Sequence, residues 1–163
     1  MNPRTVFALL TIGLALCLGS SVGAQVPPPP KPLQLPDLVI SSLSAKLIAP
    51  NRVQYSWTVT NVGNAPANLD GPTAGNADNV AVQAFLSKDT VFGNTGDVPA
   101  GGTILGTSPL GPLAPQASKS GTFTATVQAN FTKLTQLVLK VDSGKVITEF
   151  NEDNNTAAVG IAR

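Results

Sequence analysis

The chain is 163 residues long, with ten Lys and Arg against nine Asp and Glu, one cysteine and no histidine. That balance excludes nucleic acid as a partner, because phosphate binding needs a surplus of Lys and Arg on one face. The missing histidine excludes Ser-His-Asp and Cys-His nucleophile systems and the usual zinc sites. Charged residues are only 12% of the chain, against about a quarter in ordinary domains, so Thr, Ser, Asn and Gln must cover the surface, as suits an exported β protein.

Arg4 precedes an apolar run over residues 6–18, and the small residues 19–24 follow it. This order reads as a secretory signal, residues 1–24, with Val22 and Ala24 at the two short positions before the cleavage point. The run is short for an anchor, which takes roughly 20 apolar residues, and the mature chain has no transmembrane segment. The only cysteine, Cys17, lies inside the run. Acylation of Cys17 as a lipoprotein is disfavoured, since Leu14-Ala15-Leu16 puts Leu where a small residue is wanted. Removing Arg4 with the leader leaves nine basic and nine acidic groups. Residues 25–36 hold Pro27 through Pro30, Pro32 and Pro36. They read as an extended polyproline spacer of about 3.1 Å per residue. The remainder, 37–163, is of a size for one core.

The folded part opens on Asp37-Leu38-Val39-Ile40 and continues through Leu43 and Leu47-Ile48. Pro50-Asn51 turns the chain into its most regular strand. Val53, Tyr55, Trp57 and Val59 lie on one face and Gln54, Ser56, Thr58 and Thr60 on the other, the period-two signal of a half-buried strand. That parity places Tyr55 and Trp57 in the core. Asn61-Val62-Gly63-Asn64-Ala65-Pro66 supplies turn residues, and 67–79 reads as loop. Val80, Val82 and Ala84 alternate until Phe85 and Leu86 break the pattern, which predicts a bulge there. Residues 88–97 form a polar loop carrying one aromatic, Phe92, and 103–106 a short strand. Pro109, Pro112 and Pro115 punctuate the next connection, after which Phe123, Ala125 and Val127 restore alternation.

Asn130-Phe131-Thr132 leads to a closing pair. Leu137, Leu139 and Val141 alternate, a polar excursion follows, and Ala157, Val159 and Ile161 return. About seven short strands with Gly and Pro turns, and no helical apolar stripe beyond the leader, predict an all-β, two-sheet antiparallel sandwich.

Four pieces in this order resemble the CARDB domain, the cell-adhesion-related domain found in bacteria. They are Asp37-Leu38-Val39-Ile40; Tyr55-Ser56-Trp57-Thr58-Val59-Thr60-Asn61-Val62-Gly63-Asn64-Ala65; Phe85-Leu86-Ser87-Lys88-Asp89 with Gly96-Asp97; and Val141-Asp142 with Glu149-Phe150-Asn151-Glu152-Asp153-Asn154-Asn155. The resemblance covers residues 37–161. It implies an immunoglobulin-like or fibronectin-like sandwich in exported bacterial proteins, with a proposed role in adhesion and no catalytic residues. One departure is Leu113-Ala114-Pro115-Gln116 where such domains tend to carry Leu-x-Pro-Gly, which implies a different turn.

Two stretches are candidates for a site. In the polar excursion, Asp142, Glu149, Asn151, Glu152, Asp153, Asn154 and Asn155 offer hard oxygens, and calcium takes six to eight of these. Asn151, Asp153 and Asn155 imitate the start of an EF-hand loop, but Thr156 stands where Gly is required and Ala162 where the bidentate Glu belongs. The preferred reading is that Asp and Asn bond to the loop backbone, with no cofactor. The second candidate is the loop of Asp89, Phe92 and Asp97 at a sandwich end, where such domains meet partners. Its competing reading is that Phe92 folds over the open end of the core. Ser87 with Lys88 and Glu149 with Glu152 are the nearest approach to a catalytic pair and lack a supporting motif. Asn130-Phe131-Thr132 and Asn154-Asn155-Thr156 match the glycosylation acceptor pattern. The expected function is a non-catalytic binding or structural module at the bacterial envelope or outside it, meeting a protein or surface polymer. A carbohydrate- or calcium-dependent binder is the alternative.

Overall fold

The computed structural model describes residues 29–69, 80–105, 112–126 and 134–163, with the side chains of 103 and 104 excepted. The leader with Cys17, Val127 and the Asn130-Phe131-Thr132 acceptor lie outside the described residues. Seven strands follow in order: β1 (Leu38–Ala49), β2 (Arg52–Asn61), β3 (Ala81–Ser87), β4 (Val98–Ile104), β5 (Ser118–Thr126), β6 (Gln136–Val141) and β7 (Thr156–Gly160). They make two antiparallel sheets, ordered β1-β2-β5 and β4-β3-β6-β7. Among the described residues there is no helix. The compact unit runs Leu33–Arg163. At its start Leu35 donates its N–H to Asn64 Oδ1 and its carbonyl accepts the Asn64 and Ala65 amides.

Alternation in β2 sets the core. Val53, Tyr55, Trp57 and Val59 are buried, facing Val82, Ala84, Leu86, Leu137 and Leu139 of the other sheet. The Tyr55 ring lies 5.7 Å from that of Phe123, and its hydroxyl donates to Ala100 O at 3.3 Å. Burial pushes the Tyr55 phenol up to about 12. In β1 a register shift between Ile40 and Ser42 lets Leu38, Leu43, Ala45 and Leu47 share the inner side. The sandwich closes along one flank, where Ala162 accepts the Leu47 amide at 2.8 Å and donates to Ala45 O at 3.0 Å.

Three expectations need correction. The pattern in β3 does not break at Phe85. Leu86 is the buried member and Phe85 faces outward, while the irregularity lies across from it in β4, between the partners of Gln83 and Phe85. There Gly101 takes φ 91, a conformation open to glycine. Strand β4 starts at Val98, well ahead of residue 103, since Pro99, Gly101 and Gly102 hide its pattern. Finally, Ala67 and Leu69 open the expected 67–79 loop yet are buried, with Ala67 bridged to Leu113.

At residues 113–116, Gln116 adopts φ 64, a left-handed conformation that favours glycine. Its amide donates to Asn61 O at 2.7 Å and its side chain to Val62 O at 3.3 Å.

Register assigns each connection to an end. Leu38 pairs with Asn61, Thr60 with Ser118, and Lys140 with Thr156, so residues 33–37, 62–66, 113–117 and 142–155 gather at one end. The 88–97 loop lies at the other, beside Gln136. At the first end Gly63 permits close approach, since a Cβ there would meet Leu35 O at 2.5 Å and Asp37 N at 2.6 Å. Because both are backbone atoms, Gly63→Ala is expected to lower unfolding free energy by about 1–3 kcal/mol. Urea titration measures it, and an unchanged midpoint contradicts this docking.

Candidate functional site

The end holding residues 142–155 is built on buried polar groups. Asn61 continues the inward parity of β2 and is fully buried. Its Oδ1 accepts the amides of Asp37 and Gly63, both at 3.1 Å, and its Nδ2 donates to Ala65 O at 2.8 Å and Leu113 O at 2.9 Å. One side chain thus ties together the chain's entry into β1, the turn after β2 and the approach to β5. Beside it, Asn154 Nδ2 donates to Asp37 Oδ1 at 2.8 Å. That amide is the acceptor nitrogen of the glycosylation pattern, and here it is engaged inside the fold.

The excursion after β6 starts with Asp142 at φ 46, which Asp tolerates better than most residues. Its buried carboxylate accepts the amides of Val146 at 2.9 Å and Ile147 at 3.1 Å. Glu149 reaches across to β1. Its Oε2 accepts the Leu38 amide and its Oε1 the Asn155 side-chain amide at 2.6 Å. Burial is the largest influence on Glu149 and pushes it up to about 7; the Asp142 and Glu152 charges add to that, while the two hydrogen bonds oppose it. Glu152 Oε1 accepts the Glu149 amide at 3.1 Å, and Asn151 Oδ1 accepts the Asp153 amide at 3.0 Å. Among the described residues, Asn154 Oδ1 and Asn155 Oδ1 are buried without a partner.

This braced frame leaves one aromatic bare. Phe150 is 71% exposed although its amide donates to Pro36 O at 2.8 Å. It borders an open groove of about 390 Å³ with Leu35, Val62, Gly63, Asn64 and Gln116. Val62 is exposed as well. A large apolar ring on a fixed backbone, beside a concave surface, is what a binding hot spot requires.

At the other end, Asp89 Oδ1 accepts the Val91 amide at 2.8 Å, and Asn94 Nδ2 reaches both Asp89 oxygens at 3.1 and 3.0 Å. The Val91 amide first and the Asn94 amide second hold the exposed Asp89 carboxyl below its ordinary value. Asp97 Oδ2 accepts the Asn94 amide at 3.2 Å. Phe92 packs edge-on against Phe85, ring centroids 5.0 Å apart at 87°. It therefore sits on the outer face of the four-stranded sheet. Ser87 Oγ engages Asp89, at 3.1 Å from its amide.

The structure thus separates the two candidate sets, with Asp89, Phe92 and Asp97 at one end and Asp142, Glu149, Asn151, Asp153 and Asn155 at the other. Within the second set it joins Glu149 to Asn155. Among the described residues no three acidic, cysteine or histidine side chains converge as a metal centre. Sequence reasoning missed Asn61, which reads as a turn residue although its parity continues that of Trp57 and Val59. It also missed Phe150, quoted only inside a polar run.

The CARDB family model matches residues 35–159. The chain belongs to the CARDB family. CARDB is an adhesion-related family of immunoglobulin-like binding domains associated with bacterial cell-surface proteins. Among solved structures, the crystal structure of the CARDB domain of the PF1109 protein from Pyrococcus furiosus, in complex with di-metal ions, is similar at 17% identity. It covers 80% of this chain and 96% of that one, with a TM-score of 0.50. The solution structure of the same domain is 18% identical, covers 80% and 98%, and has a TM-score of 0.45. The crystal likeness shows the shared sandwich. No curated protein matches the chain at a significant level.

Proposed function

We propose that this CARDB domain is an exported, non-catalytic recognition module that grips a protein or polymer of the bacterial cell surface through Phe150 and the groove beside it. The observation that carries this reading is the exposure of Phe150 on a backbone held by Glu149, Asp142 and Glu152. Holding the backbone in advance lowers the ordering cost of binding. The family's association with adhesion and the leader-like residues 1–24 support it. Phe150→Ala removes a ring that is already mostly in water, so the fold should keep its midpoint. Binding of the purified chain to envelope preparations is expected to fall by about tenfold or more. Unchanged binding rejects Phe150 as the contact.

A calcium-dependent reading draws on the di-metal ions of the PF1109 domain. Against it, the oxygens of Asp142 and Glu149, one oxygen of Glu152 and that of Asn151 already accept protein N–H groups, whereas calcium takes six to eight oxygens.

A further inference from the structure

We infer that β5 is a self-pairing edge, through which two copies of this chain join their β1-β2-β5 sheets into one continuous antiparallel sheet. This goes beyond the recognition reading and involves none of the residues around Phe150. Unpaired strand edges invite pairing, and proteins usually blunt them. Three of the four edges here are blunted. The edge of β1 is shifted between Ile40 and Ser42 and capped by Ala162; β4 carries Pro99 and the irregularity near Gly101; β7 is only five residues long. By contrast β5 runs nine residues, pairs with β2 without a register shift, and among the described residues has no strand on its other side. Its inward Lys119 is turned to the Leu105 carbonyl.

The direction of the free groups follows from the ladder. Asn61 donates to Ala117 O and accepts from the Gln116 amide. Bonded pairs alternate in an antiparallel ladder, so Val59, Trp57, Tyr55 and Val53 exchange bonds with Lys119, Gly121, Phe123 and Ala125. The N–H and C=O groups of Ser118, Ser120, Thr122, Thr124 and Thr126 consequently point to the open side.

The pattern on β5 is self-complementary about Thr122. A two-fold axis there sets Thr122 against Thr122 of the second copy, Ser120 against Thr124, and Ser118 against Thr126, giving about ten main-chain bonds across the joint. Every outward row then pairs hydroxyl with hydroxyl. This continues the ladder already built toward β2, where Ser56 meets Thr122 at 2.9 Å, Thr58 meets Ser120 at 2.8 Å and Thr60 meets Ser118 at 2.8 Å. Such cross-strand pairs are stabilising. On the inner side the same axis places Phe123, 36% exposed at the edge, against Gly121 of the second copy, and Lys119 against Ala125. Large meets small at each of these rows, and the lysines stay far apart. A foreign strand has no reason to match all of these rows at once, which is why the second copy is the occupant.

Analytical ultracentrifugation of the purified chain, from about 1 µM to about 1 mM, tests the inference. Wild type should pass from monomer to dimer as concentration rises. T122K sets two ammonium groups directly opposite across the axis, and T122E two carboxylates, so each alone should dimerise at least about tenfold more weakly. Mixing the two variants should restore the dimer, and this restoration separates a pairing effect from damage to the fold. A wild type that stays monomeric throughout overturns the inference, as does a dimer indifferent to both variants, which uses another surface. Variants that stay monomeric when mixed overturn it too.

Discussion

Asn61→Ala is expected to lower unfolding free energy by about 3–5 kcal/mol, the largest effect of any polar substitution in the domain. The side chain is buried and fully satisfied, with two amides on its oxygen and two carbonyls on its nitrogen. Truncation leaves three backbone groups without partners, the Asp37 and Gly63 amides and the Ala65 carbonyl, since Leu113 O keeps the Ala67 amide; each costs about 1–3 kcal/mol if water cannot reach it. Entry of water into the space keeps the total below the sum. Asn61→Asp separates shape from chemistry. It preserves the two accepted bonds but turns an oxygen toward Ala65 O and Leu113 O, so near neutral pH it should be at least as damaging as Ala. Chemical denaturation of the three proteins measures this. A cost below about 1 kcal/mol for Asn61→Ala means that the joint is open to solvent and that the end is not held as described.

The second large effect is in pH. Glu149 is pushed from the usual 4.5 up to about 7, chiefly by burial. The folded protein therefore binds this proton more tightly than the unfolded chain does. Its contribution is fully present below about pH 4.5, falls as pH rises through about 7, and is level above that. With partial screening by solvent the loss is about 1–2 kcal/mol. Glu149→Gln carries a permanent donor at this place. The difference in melting temperature between wild type and Glu149→Gln should accordingly change between pH 4.5 and 8 in favour of the variant. A difference that is constant across this range shows that Glu149 is ionised in the folded state throughout.

The parts of the fold legible in the sequence are those where side-chain parity and strand coincide. Val53 through Val59 declare both faces of β2 without help from the rest of the chain, whereas Leu137 and Leu139 declare only the inner face of β6, because Val138 between them is fully buried as well. β4 was largely concealed, because Pro99, Gly101 and Gly102 are residues of turns; its pairing with β3 comes from the sheet, not from local preference. Phe85 and Leu86 posed a different problem. Two adjacent apolar residues fit either face, and only the outer packing of Phe92 on Phe85 decides between them. Asn61 shows the limit most clearly, since Asn in a turn and Asn as a buried hub have the same local appearance. The bonds that distinguish them come from residues 24 positions before it and 52 after it. The site was hidden for a related reason. Acidic and amide residues in the 142–155 run announce oxygen donors, whereas the structure spends those donors on backbone amides and leaves the single aromatic, Phe150, outside.

Amide hydrogen exchange of the purified chain, with and without envelope fragments, tests the recognition reading most directly. Protection is predicted at residues 35–37, 62–64 and 149–151, around Phe150, with 88–97 unchanged. Protection at 88–97 with none around Phe150 contradicts the account and moves the contact to the opposite end of the sandwich.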